Sequence, residues 1–231
     1  IQFEVFSAYQ DLEQTVNLTE VAPYIDFSDE NSDALLSKIF TDERGLLFNY
    51  TNLGYQTYYC SQKTIDFIDQ LYFDAIRLGV LRSDQEFLEP YLRNTDLLYL
   101  NFNAVKKTSF ESNAIAAPNG FSGEDICRIT RYAGISDKLN QVVVYFENEL
   151  TSADAVLVAQ SIWYFIEGVN QRKGDFPVAS KKKYKKFVVG VKEFKDEVNF
   201  YKSDKSGRWW MEVPYPGHGL KKFQRHYLVP C

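Results

Sequence analysis

The stretch NQVVVYFENELTSADAVLVAQSIWYFIEGV, residues 140–169, decides the fold. Its first part, NQVVVYFE, is β-branched and aromatic, which suits a strand. Its second part begins at a Thr-Ser pair and runs amphipathically for about five turns. That is a capped helix following a strand after a short polar connection. Working outward, the same alternation recurs. Residues 96–103 (DLLYLNFN) form a short apolar run of the kind found in a buried strand. Residues 122–133 then read as a helix, with Ser122 as N-cap, Asp125 three residues on, and Gly134 closing the end. Residues 16–21 (VNLTEV) and 46–50 (LLFNY) read as two more strands. Residues 62–80 carry helical spacing through Ile65, Ile68, Leu71, Tyr72, Ala75 and Ile76. Strands alternating with helices predict an α/β fold, a mostly parallel sheet with helices on both faces.

The tail reads differently. Residues 181–186 (KKKYKK) predict a solvated basic loop. Residues 187–192, 198–202 and 208–213 are short and β-prone. The last two flank Ser203-Asp204-Lys205-Ser206-Gly207, a hairpin turn with glycine available for positive φ. Pro214, Pro216, Gly217 and Gly219 predict an irregular loop. The expected organisation is an α/β domain over residues 1–180 and a β extension over 181–231, packed on it. Trp209 or Trp210 is expected to pack on the main body or on a partner, and alternation sends the two to opposite faces, leaving the other for an interaction surface.

Composition excludes several classes. A net charge of −5 gives no global basic field for nucleic acid. No apolar window approaches the length of a membrane span. Three widely spaced cysteines, Cys60, Cys127 and Cys231, predict unpaired thiols and a reducing, cytoplasmic setting. The chain opens at Ile1 without a methionine, so a piece of a longer protein is expected. Nucleophile-elbow, P-loop and dinucleotide motifs are absent. His218 and His226 are read as surface or structural groups.

Three stretches sit where an open α/β sheet places ligands, beyond the carboxyl ends of strands. They are Ala22-Pro23-Tyr24-Ile25-Asp26, Asn101-Phe102-Asn103, and the loop 117–125 that ends in Glu124 and Asp125. Spacing alone gives them only strand-end and capping roles. However, SGEDICRITRYAGISDKLN (122–140), AQSIWYFIEGVNQRKGDF (159–176) and NYTNLGYQTY (49–58) resemble the arginase-type ureohydrolases, in particular their formimidoylglutamase-like branch in Bacteroidetes-type bacteria. That resemblance implies hydrolysis of guanidino or formimino C–N bonds by water bridging two Mn²⁺ ions.

Matched position by position, the resemblance implies a depleted site. The family's DAHxD falls on residues 22–26, so Ala22 and Tyr24 replace two ligands and Asp26 remains. SxDxDxxDP falls on residues 99–107, which puts Asn101 and Asn103 at carboxylate positions and a lysine at the last Asp. The family's substrate-orienting Glu falls on Phe146, or on Glu147 if the register slips by one. Two dications ~3.5 Å apart repel by roughly 20 kcal/mol at an effective dielectric of ~20, and one carboxylate cannot offset that. The expectation is a non-catalytic binding or scaffold protein, with no cofactor, and with a protein partner or further copies of itself. The alternative is an active hydrolase of linear amidines, with Mn²⁺ held by Asp26, Glu124 or Asp125 and a histidine from outside the chain.

Overall fold

The computed structural model describes residues 2–27, 34–177, 184–190, 197–215 and 225–231. They fall into two units, Ile1–Gln171 and Arg172–Cys231.

In the first unit, five strands form one all-parallel sheet: β1 (Val16–Val21), β2 (Leu47–Tyr55), β3 (Asp74–Arg77), β4 (Leu97–Asn101) and β5 (Gln141–Tyr145), in the order β3-β2-β1-β4-β5. Alternation sorts their side chains to two cores. Val16, Leu18, Tyr50, Leu97 and Tyr99 join Phe6 of α1 (Gln2–Asp11), Leu36 and Ile39 of α2 (Leu35–Thr41) and Ile68 of α3 (Gln62–Gln70). Val21, Leu53, Leu98 and Leu100 face the other way. They meet Leu81 of α4 (Leu78–Ser83), Leu92 of α5 (Leu88–Arg93), Ile126 and Ile129 of α6 (Gly123–Ile135) and Leu157 of α7 (Ser152–Asn170). Helices therefore cover both faces, as a parallel sheet requires.

The predicted 62–80 helix is a correction. Its first half is α3, capped by the Ser61 side chain on Thr64 N–H. The chain then turns at Tyr72, whose φ is 57°, and residues 74–77 become the edge strand β3. Ala75 and Ile76 fit either period, and pairing with β2 decides between them. A second correction concerns Gly134, which lies inside α6 and does not end it. A Cβ there would stand 2.2 Å from the Phe165 carbonyl oxygen, and one at Gly168 would stand 2.4 Å from that of Arg131. The two glycines allow α6 and α7 to approach backbone to backbone.

The second unit holds the antiparallel sheet β6 (Tyr184–Gly190), β7 (Glu197–Ser203), β8 (Trp209–Tyr215) and β9 (Arg225–Pro230), in chain order. The predicted hairpin is β7–β8, with Gly207 at φ 74° in its turn. Trp210 is fully buried against Tyr184, Tyr201 and Leu228, while Trp209 lies against Phe187 on the opposite face. Lys185 and Lys186 are solvated as expected, but on strand β6 and not in a loop. Pro214 likewise continues β8, and β9 was not anticipated. Residues 181–183, 191–192, Pro216, Gly217, His218 and Gly219 lie outside the described residues, as does the side chain of His226.

Candidate functional site

Because all five strands of the large sheet run the same way, their carboxyl ends share one edge. Ala22–Asp26 leaves β1 there, Asn101 ends β4, and Glu147 follows β5. Asn103 does not continue the strand, as the reading of residues 96–103 expected it to. A 3₁₀ turn over Phe102–Ala104 intervenes, and the Asn101 side chain accepts from the Asn103 N–H at 2.9 Å. An asparagine at a strand end competes for its own backbone, and here that bond starts the turn.

The turn aims the Asn103 side chain at two partners. Its Nδ2 donates to Glu147 Oε1 at 2.8 Å, and its Oδ1 accepts from Ala114 N–H at 2.8 Å. Asn101 Nδ2 donates to the Tyr24 hydroxyl at 3.4 Å. Tyr24, Asn101, Asn103 and Glu147 therefore form one connected network. Glu147, and not Phe146, supplies its carboxylate. Burial pushes the Tyr24 hydroxyl up to about 12, with the negative charges of Glu147 and Glu20 adding to the effect.

Asp26 is engaged elsewhere. Its Oδ2 accepts from the Leu35 N–H at 2.8 Å, which serves the start of α2 where Ala34 offers no capping side chain. Asp125 closes a reciprocal capping box with Ser122 at the start of α6. Glu124 is exposed on that same first turn. Among the described residues no group of three or more His, Cys, Asp or Glu comes together as a metal site.

Behind this network lies a buried acid that sequence reasoning missed. Glu20 is 3% exposed on β1, on the face that carries Val16 and Leu18, and its Oε2 accepts from the Tyr50 hydroxyl at 2.8 Å. Burial raises its carboxyl to about 7; the Tyr50 bond opposes the rise and the charge of Asp26 adds to it. The available signal was a carboxylate inside a predicted strand, in step with Val16 and Leu18. Asp154 was missed too. It is 1% exposed and accepts from Glu111 N–H, Ser112 N–H and the Ser112 hydroxyl, which fixes the loop after the 3₁₀ turn. Burial alone would raise its carboxyl, but these bonds outweigh burial and hold it below its ordinary value.

No protein-family model matches the sequence, and no curated protein matches it. Solved structures do match. A Trypanosoma cruzi formiminoglutamase "with Mn2+2" aligns at a TM-score of 0.64 and 12% identity, over 72% of this chain and 61% of its own. Formimidoylglutamase from Bacillus subtilis aligns at 0.64 and 10%, over 74% and 58%. The chain has the fold of the arginase superfamily. Agmatine ureohydrolase of Thermoplasma volcanium aligns at 0.55 and 16%, over 73% and 60%. This chain therefore spans about three fifths of the length of these ureohydrolase structures.

Proposed function

We propose that this ureohydrolase-fold protein acts as a binding or scaffold module whose dinuclear Mn²⁺ site has been dismantled. The observation that carries the reading is the bonding at the matched positions. Ala22 has no ligand atom, and Tyr24 holds its phenol proton to about pH 12. Asn101 and Asn103 are neutral, and their amides are committed to Tyr24, Glu147 and backbone N–H groups. Asp26 serves the start of α2. A pair of Mn²⁺ ions favours several carboxylates with imidazole, and this donor set does not fit it. Stripping these side chains from their partners would leave buried donors unpaired, at about 1–3 kcal/mol each.

The network instead offers a polar surface at the carboxyl edge of the sheet, rich in amide, phenol and carboxylate. It suits hydrogen-bonded recognition of a polar ligand. A cytoplasmic setting, and association with another protein or with further copies of itself, complete the proposal. Among the described residues no helix is long and apolar enough to cross a membrane.

The competing reading is hydrolysis of a linear amidine, which the Mn²⁺-bearing T. cruzi neighbour favours. Assays on formiminoglutamate, agmatine and arginine with added Mn²⁺ separate the two. The double substitution Asn101→Asp, Asn103→Asp is expected to leave the protein inactive, since Ala22 and Tyr24 still lack ligand groups. Activity in that double variant would favour the hydrolase.

A further inference from the structure

A second feature of the same sheet edge involves none of the residues matched to the family's metal ligands. Beyond the ends of β2 and β3 lies a cavity of about 190 Å³, lined in part by Thr57, Tyr58, Arg77, Gly79, Arg82 and Asn119. Arg77 is the last residue of β3, and Arg82 lies on α4, one turn after Gly79. Leu78 and Leu81 turn into the core, while Gly79 and Arg82 are exposed. Spacing of three along a helix brings Gly79 and Arg82 to one side. A Cβ built on Gly79 meets nothing within 4 Å, so a side chain there would enter open space at the cavity that Gly79 and Arg82 both line.

The cavity is cationic and contains no acid. No Asp or Glu lines it, and among the described residues neither arginine makes an ion pair. Arg77 Nη2 lies 3.5 Å from the Thr57 hydroxyl, a distance that leaves its donors largely unspent. In a chain of net charge −5, two arginines lining one cavity without a carboxylate are a local excess. Gln56 anchors the floor: its N–H donates to Pro23 O at 2.9 Å and its Nε2 to Asn119 O at 3.2 Å, with the Tyr58 hydroxyl on its Oε1.

We infer that this cavity binds a small oxyanion, the carboxylate or phosphate group of a low-molecular-weight ligand, gripped between Arg77 and Arg82. Guanidinium presents a planar fork of donors matched to either oxyanion, and charge-assisted bonds are the stronger kind. The Thr57 hydroxyl and the Asn119 amide supply further donors. The volume suits an oxyanion head group with a short stem. The site is independent of whether the metal centre works.

Isothermal titration of the purified chain with inorganic phosphate and with succinate, each at constant ionic strength against chloride, tests this. Saturable binding is expected for at least one of them, with a Kd of about 1 mM. Arg82→Ala and Arg77→Ala are each expected to weaken it roughly tenfold or more, the scale of one charge-assisted contact. Gly79→Leu alters no charge and replaces a poor helix former with a good one, so it is expected to fold at least as well. It fills the cavity and is expected to abolish binding. Tighter phosphate binding would assign a phosphorylated ligand, and tighter succinate binding a carboxylate; either supports the site. No saturable binding of either anion, or binding unchanged in Gly79→Leu, overturns it.

Discussion

Replacing Glu20 by Gln should remove a pH dependence of stability that belongs to this one group. The folded chain holds the Glu20 carboxyl at about 7, whereas the ordinary value is 4.5. Between these values the folded state keeps a proton that the unfolded state has released. The contribution of Glu20 is therefore fully present below the unfolded value and is lost as pH rises through about 7. A gap of roughly two and a half units corresponds to about 3 kcal/mol. In a chain of this size that is a change of about 6–12 °C in melting temperature. Gln keeps an oxygen to accept from the Tyr50 hydroxyl and cannot ionise, so it matches the neutral acid. Thermal or urea unfolding at several values between pH 4.5 and 8.5 is the assay. Wild type and Glu20→Gln should nearly coincide at the acid end, and the variant should be the more stable above pH 7. Parallel curves for the two proteins would refute the reasoning and mean that Glu20 is ionised or solvated in the fold.

Gly134→Ala should destabilise the first unit by about 1–3 kcal/mol, because the new methyl meets backbone, which cannot rotate away; chemical denaturation measures it. Asp154→Ala should cost about 3 kcal/mol by leaving the Glu111 and Ser112 N–H groups without their acceptor, and should speed exchange of those two amides. Since the Asp154 carboxyl is held low, its contribution is present above the unfolded value and fades as pH falls through the folded one. The variant and wild type should thus converge in strong acid. Trp210→Ala should cost the second unit about 3–5 kcal/mol, read from its own unfolding transition, whereas Trp209→Ala should cost much less.

The parts of the fold legible in the sequence were those where one signal acted alone. β1, β4 and β5 are short runs, each preceded by a polar residue, and α7 is long and begins at a capping Thr151 that binds Asp154 N–H. Residues 74–77 were misread because short apolar runs fit both periods, and only the partner strand β2 makes them a strand. Gly134 was misread because a glycine near a helix end also marks a close crossing, and that depends on Gly168, thirty-four residues away. At the site, Asn101 and Asn103 were found, but not the 3₁₀ turn that redirects Asn103, which arises from a side chain outcompeting the strand. Glu20 escaped notice because its burial depends on Tyr50 from a different strand. The arginine cavity joins a strand end, a short helix and two loops, and no local pattern predicts that meeting.

The central claim concerns the metal. The most direct measurement is elemental analysis of the purified chain after dialysis from excess Mn²⁺, with the same sample assayed on formiminoglutamate, agmatine and arginine. The account predicts manganese well below one equivalent per chain and no turnover on any of the three. About two equivalents retained per chain, together with turnover, would contradict it and establish a working hydrolase at the carboxyl edge of the sheet.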